Sequence, residues 1–519
     1  MVRRVARECS VMRVRLMLST AVLALSAVTA PVLAPPAGAA GTLTIAQAQD
    51  PNTWDPISTF LIAWGAVASN MFDGLVLRDE QLTLKPGLAT SWEVLDEGMR
   101  LRFKLRQGVT FHNGEPFDAE AVRFTMTRLL GPEGAKGPQQ SNYTSIGSVE
   151  VLDPYTVDIV LKRPDPVMIS KLAGYGAMIV PPKYTAEKGS AEFGQHPVGT
   201  GPFKVTGYEN KVSLTLEPSA GHWDGKPKLD KVVYRFIVEP NTQVAELQAG
   251  RVDVASNVPI ALIPAITASP SLHLLSTTGP TVTVLRFNTA NGPTRDERVR
   301  RAMVMAVDRE AIVKQILQGH AKAVTSFQST LSFGFDPAQK PVPFDPAGAK
   351  KLLAEAKLPP GTVVSLDFRS NDTTFREVAQ AIAGYLTAAG LKAQVRPFEM
   401  NLFTNDIIPN GKTGEMFQMG WGGWTFDYDN TAYLMYHSGE HWNPYDKDAG
   451  LDAMLEGQRR IADRGEREKA LQKIANFVAD HALELPLYNV DTYYGVNRRV
   501  KGLVVPPDNR FRLIGTSVE

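Results

Sequence analysis

Cysteine is all but missing from this chain: Cys9 is the only one in 519 residues. Beyond it there is no disulfide, no thiolate nucleophile and no cysteine ligand for a metal. An excess of charge of either sign is missing too, with 55 Lys and Arg against 54 Asp and Glu. Residues 1–39 hold five Arg and one Glu, which leaves the remainder at a formal −3 and without a basic footprint for nucleic acid. Familiar catalytic patterns are also lacking. No G-x-S-x-G elbow occurs, and Gly411-Lys412-Thr413 lacks the leading glycine that a P-loop needs.

What remains is an ordinary globular composition, 44% hydrophobic and 21% charged, on a chain long enough for two or three domains. The N-terminus reads as a secretory signal: Arg13 and Arg15, an apolar run from Leu16 to about Leu33, then Ala37-Gly38-Ala39 as an A-x-A cleavage site. Met12 makes a more typical start for such a signal than Met1. A membrane anchor over 16–34 is the rival reading. No cysteine follows the apolar run, which argues against a lipoprotein and for a free periplasmic protein.

The stretch from Leu88 to Leu130 is the most informative. Ser91 to Val94 reads as a strand, Asp96-Glu97-Gly98 as a turn, and Leu101, Phe103 and Leu105 as the inward side of a second strand. A helix follows Pro116, with Asp118 as cap, Glu120 in the first turn, and Val122, Met126, Leu129 and Leu130 as its apolar stripe. The residue order W-E-V-x-D-x-G, then F-x-L-R-x-G-V-x-F-H-N-G-x-P-F-x-A, resembles the signature of the family 5 extracellular solute-binding proteins, the peptide- and nickel-binding components of ABC importers. Ala121 departs from it where the family carries Asp. Two further stretches are similar to family motifs: the turn Pro197-Val-Gly-Thr-Gly-Pro-Phe203, and the run from Asn288 to Ala321. A strand after the two glycines of that turn, rather than a helix, excludes a phosphate cradle.

Strands dominate before about Leu285; helix and strand alternate after it. Val363 to Phe368, Phe375 to Ala389 and Leu391 to Phe398 form a β-α-β unit and hence a parallel pair. Leu485-Pro-Leu-Tyr488 carries the chain back. This pattern and the resemblance imply an α/β, two-lobed, Venus-flytrap periplasmic binding protein with an extra subdomain inserted in lobe I. The expected division is a signal peptide over 1–39, lobe I over 40–84, 195–286 and 485–519, its inserted subdomain over 85–194, and lobe II over 287–484.

Glycine-flanked tryptophans beside carboxylates, Trp421-Gly-Gly-Trp424-Thr-Phe-Asp427-Tyr-Asp429, suit a ligand wall with fixed charge. Peptide binders of the family have a similar W-x-x-D-Y stretch whose Asp pairs with the ligand's ammonium. The resemblance puts Asp427 there, with Asp429 as fallback; a solvated loop acid is the plain alternative. Arg369, ending a strand, matches an Arg that forks onto a peptide carboxylate, or is a surface Arg. Phe60 and Trp64 face the cleft by the same resemblance, or form a buried aromatic pair. His437-Ser-Gly-Glu440-His441 spells the H-x-x-E-H of a zinc protease, but Gly439 inside it and Trp442-Asn443-Pro444 after it oppose the helix that chemistry requires. A cleft-rim loop, with or without contact to a metal chelate, is the reading left. The resemblance implies no enzyme, no cofactor and no resident metal. Its expected partners are a small-molecule or peptide ligand, with sugars, opines and metal chelates open, and a membrane permease with separate ATPase subunits. The protein is expected to be a monomer.

Overall fold

The structure, a computed structural model, describes residues 41–519. The signal peptide read over 1–39 lies outside the described residues. No helix among those described is long and apolar enough to cross a membrane.

One eleven-stranded sheet runs through the molecule. At its centre lie Leu272–Phe287 and Glu484–Asn497, strands of 16 and 14 residues. Such lengths are two to three times the usual ~5–6 residues, because each strand belongs to both lobes. On one side of the pair follow Val254–Ala255, Thr42–Gln47, Lys231–Phe236, Ser213–Pro218 and Phe203–Glu209. On the other stand Met416–Gly422, Val363–Arg369 and Lys392–Phe398, and the eleventh strand, Ala321–Ala323, pairs with Tyr488 to Val490 of the second long strand. Val363–Arg369 and Lys392–Phe398 are parallel neighbours joined by the helix Thr373–Ala388, the expected crossover unit.

The two long strands change register twice, once across a wide bulge at their middle and once at Leu487, where Thr283 faces Tyr488 and Val284 faces Pro486. Leu272 to Thr278 faces Asn497 to Asp491, and Val282 to Arg286 faces Asn489 to Glu484, so Gly279, Pro280 and Thr281 bulge between the two runs. Pro280 has no N–H to give to a ladder, which suits it to this position. The Asn489 side-chain amide donates to the carbonyls of Gly279 (3.0 Å) and Thr281 (2.6 Å), and Thr278 Oγ1 donates to Asp491 (2.7 Å). A bulge whose carbonyls are held by one side chain is a defined bend between the lobes.

Each lobe has its own apolar interior. In the first, Leu43, Ile45, Val232, Tyr234 and Leu216 pack with Trp54, Trp64 and Phe72. A separate four-stranded antiparallel sheet, in the order Ala89–Leu95, Arg100–Leu105, Thr156–Leu161, Ile146–Asp153, is covered by the helix Ala119–Leu130. Asp118 caps that helix by accepting from the Ala121 N–H at 3.1 Å. Gly199 and Gly201, in the turn that looked like a phosphate loop, lie against the Met71 backbone; a Cβ on Gly199 would sit 2.2 Å from the Met71 carbonyl oxygen. That turn is a packing joint. In the second lobe, Val299, Met303, Leu366, Phe368, Phe375 and Ile382 share a core.

Some elements differ from the sequence reading. The strand Leu272–Phe287 runs through a Gly-Pro that local pattern reads as a break, because pairing with Glu484–Asn497 carries it on. A short helix, Ile62–Ala68, carries Trp64, and two helices the pattern did not show are Pro182–Gln195 and Tyr428–Tyr436.

Glu484, 3% exposed at the lobe II end of its strand, accepts from Tyr436 Oη (2.5 Å) and the Phe327 N–H (2.8 Å). Burial pushes its carboxyl up to about 7, only partly opposed by the Tyr436 bond and the Arg286 charge. A raised acid favours the folded state most below its unfolded pKa, and this contribution is lost as pH rises through the folded value. Stability should therefore fall between about pH 4.5 and 8, by roughly 3 kcal/mol from this group. Urea denaturation across that range would show a flatter profile for Glu484→Gln; equal slopes would refute the assignment. Asn489→Leu, which strips both carbonyls of the bulge, should cost about 1–3 kcal/mol by the same assay.

Candidate functional site

A cavity of about 700 Å³ opens where the lobes meet, within the usual range for a small-molecule site. Pro280 and Thr281 of the bulge form part of its lining. Lobe I contributes Phe60, Tyr175, Arg163 and the stretch Asp508–Arg510, among others; lobe II contributes Trp421, Trp424, Tyr433, Glu440 and Trp442.

The lobe II wall is built by a strand, a tight turn and a helix. Met416–Gly422 delivers Trp421, whose Nε1 donates to Asn430 at 3.3 Å. The chain then turns through Gly423 to Phe426, closed by the Phe426 N–H on the Gly423 carbonyl at 2.7 Å. Phe426 has φ +53°, a left-handed conformation costly for an aromatic residue. It is held by backbone bonds on both sides, its carbonyl to the Phe333 N–H (2.9 Å) and the Tyr428 N–H to the Phe333 carbonyl (3.1 Å). This turn pushes Trp424 across the cleft, where its ring lies 6.1 Å from that of Phe60. It also passes so close to Gly174 that a Cβ there would fall 2.5 Å from the indole, and only glycine permits that approach.

Helix Tyr428–Tyr436 starts at Asp427, which caps it by accepting from the Asp429 N–H at 3.0 Å. Both aspartates are already paired within lobe II. Arg467 forks onto Asp427 at 2.7 and 2.8 Å, and Arg459 forks onto Asp429 at 2.7 and 3.0 Å, with Gln458 also donating to Asp429. Burial pushes the Asp427 carboxyl up from its ordinary value, and the Arg467 fork works against that shift. Asp427 is 6% exposed and is not part of the cavity lining; Asp429 is.

A second buried arginine shapes the rim. Arg286, wholly buried, donates from Nη1 to the Trp442 carbonyl (2.8 Å) and from Nη2 to Asn443 Oδ1 (3.3 Å) and Asp446 (3.0 Å). Asn443 in turn donates to the carbonyls of Tyr436 (2.7 Å) and Asp446 (2.9 Å). The loop after the helix is thereby pinned with Trp442 and Glu440 at the cavity. The helix ends at Tyr436, so His437 and His441 do not share a helical face: His437 stacks on Tyr433 (4.4 Å) and His441 meets Trp442 edge-on (5.1 Å). No His, Asp and Glu grouping able to hold a metal occurs among the described residues.

Of the residues singled out in the sequence, Trp421, Trp424, Asp429 and Phe60 line this cavity. Trp64 lies behind it, fully buried and 5.2 Å from the Tyr175 ring. Arg369 stands outside the lining, 3.7 Å from Asp372. Sequence reasoning passed over Glu440, read only as part of a histidine motif, and Tyr175, Arg163 and Arg510, which no local pattern marks. Among the described residues the Glu440 carboxylate and the Arg163 guanidinium make no ion pair or side-chain hydrogen bond, whereas Asp165 is bridged to Lys171 (2.7 Å) and Asp508 to Arg510 (2.7 Å). Burial pushes the Glu440 carboxyl up from its ordinary value.

Two lobes on one continuous sheet, with a solute-sized cavity at the bend, define a two-lobed binding protein. The chain belongs to the bacterial extracellular solute-binding proteins, family 5, whose model matches residues 83–443. It is 28% identical to the glutathione-binding protein GsiB of Salmonella paratyphi A over 92% of this chain and 94% of that one. HbpA2 from Haemophilus parasuis superposes with a TM-score of 0.83 at 26% identity, covering 92% of this chain and all of that one. The binding protein AgaA of A. tumefacien R10, in complex with agropinic acid, has a TM-score of 0.76 at 27% identity over 92% and 99% of the two chains.

The Asp427 to Arg467 fork gives a test of role. Removing one partner of a buried pair should cost about 3–5 kcal/mol, so Asp427→Ala should be strongly destabilised, and Asp427→Ala with Arg467→Met should recover most of the loss. A stable Asp427→Ala in a chemical denaturation series would show that the pair is not a structural element.

Proposed function

We propose that this protein captures a short peptide or amino-acid-derived solute between its lobes and presents it to an ABC permease driven by separate ATPase subunits. The observation carrying this reading is the pair of uncompensated charges on facing lobes, Glu440 and Arg163, around an aromatic middle of Phe60, Trp421, Trp424 and Tyr433. That layout suits a zwitterion with an apolar body. An ammonium accepted by Glu440 gains a charge-assisted bond as closure excludes water, and the indole faces cover the side chains. Of the anchors expected from resemblance, Asp427 takes a supporting place in this reading, holding the turn that presents Trp424, and Arg369 lies outside the lining; Asp429 holds Arg459 at the wall. The GsiB likeness supports a small peptide such as glutathione, and the AgaA likeness supports an opine as the second candidate.

Recognition here breaks no bond. A solute drives closure only by its differential affinity for the closed arrangement. The chain works in the periplasm as a monomer after loss of a cleaved signal, without cofactor, resident metal or lipid anchor, and without nucleic acid.

A thermal-shift panel of dipeptides, tripeptides including glutathione, opines, sugars and nickel–histidine tests this, since a ligand that binds only the folded state raises the melting temperature. A peptide should give the largest shift, and Glu440→Gln should weaken its binding about 10- to 100-fold, the worth of one charge-assisted hydrogen bond. Trp424→Ala should weaken it comparably. A shift given only by sugars, or peptide binding unaltered in Glu440→Gln, would overturn the assignment.

A further inference from the structure

Below the main cavity lies a second, smaller one of about 30 Å³, lined by Arg78, Arg510, Arg512, Asp508, Gly174 and Met178, among others. Its arginines are unequally provided for. Arg510 is paired with Asp508 at 2.7 Å and also donates to the Ala173 carbonyl. Arg512 Nη1 donates to Asp73 at 2.8 Å, but its Nε is buried without a partner among the described residues. Arg78 has no carboxylate: its Nη2 donates to the carbonyls of Ser170 (3.1 Å) and Thr425 (3.0 Å), and its Nη1 is buried with no partner among the described residues.

Three guanidiniums thus line one cavity with a single carboxylate, Asp508, while Asp73 holds Arg512 from outside the lining, and two N–H groups have nothing to donate to. The space exceeds the ~10–15 Å³ that one water needs, so a monatomic ion fits. Water could satisfy the N–H groups but not the charge, and a buried charge without a counter-charge is expensive. Burial, with Arg510 nearby, draws the Arg78 pKa down to about 9, against the opposing pull of Asp508.

We propose that Arg78 and Arg512 bind a small inorganic anion of halide size in this lobe I cavity. The anion accepts from Arg78 Nη1 and Arg512 Nε and supplies the missing negative charge. Arg78 also donates across the cleft to Thr425 and lies 5.3 Å over the Phe426 ring, so the charge being neutralised sits on the contact that joins lobe I to the Trp424 turn. Arg78 and Arg512 do not line the solute cavity, although Gly174, Asp508 and Arg510 border both spaces, and the proposal stands whether or not the solute is a peptide.

Crystals grown in sodium bromide test this directly. Expected is an anomalous peak in the small cavity within hydrogen-bond reach of Arg78 Nη1 and Arg512 Nε. In solution, chloride or bromide should raise the melting temperature saturably by about 1–2 °C over gluconate at equal ionic strength. Arg78→Gln keeps amide donors for Ser170 and Thr425 but removes the charge, and should lose this halide increment. No peak, with equal melting temperatures in halide and gluconate, would show that the cavity holds only water and overturn the proposal. An increment of equal size in Arg78→Gln would place the halide effect elsewhere and overturn it too.

Discussion

The pairing of Leu272–Phe287 with Glu484–Asn497 is the constraint from which the remaining architecture follows. Because both strands extend into both lobes, each lobe adds its own strands to a ladder already shared, and the lobes cannot separate without breaking that ladder. They can only bend where it is interrupted. The wide interruption at Gly279-Pro280-Thr281, held by Asn489, with a smaller register shift at Leu487 close by, gives the lobes a place to bend and a cavity to open beside it. The cavity lining includes Pro280 and Thr281 for this reason.

Around that bend the protein uses buried arginines as scaffolding. Arg467 holds the helix cap at Asp427, Arg459 holds Asp429, and Arg286 holds the loop bearing Glu440 and Trp442. Each such pair pays for desolvation with several charge-assisted bonds at once, so its yield is position rather than net stability. What these pairs position is a strained turn at Phe426 and the indole of Trp424, and rigid support is what such a turn requires. The carboxylates nearest the tryptophans are thereby consumed internally, and the charges left for a solute are more distant ones, Glu440 and Arg163.

Much of the architecture was legible in local pattern. The Asp118 cap, the alternation of Leu101, Phe103 and Leu105, and the crossover from Val363 to Phe398 all depend on neighbours within a few residues or one β-α-β unit, and the long motif runs marked the family. The Trp421 to Asp429 stretch also stood out, since tryptophan beside glycine is visible without a partner. What could not be read was which charge is spent and which is free. Asp427 meets Arg467 forty residues later, Arg163 meets nothing among the described residues, and no spacing rule separates the two cases. Glu440 was hidden for a different reason: its histidine neighbours suggested a helical metal motif, while a tertiary bond network from Arg286 fixes that segment as a loop.

The sequence by itself determined the two-lobed α/β class, the order of most elements, the near absence of sulfur chemistry and the aromatic character of one cleft wall, because each rests on periodicity, composition or contiguous motif. Only the tertiary structure decided the position of the bend, the company kept by each arginine and carboxylate, and the unbalanced charge at Arg78. Those depend on side chains tens to hundreds of residues apart meeting in a space from which water is excluded, where pairing or its absence fixes what a charged group can do.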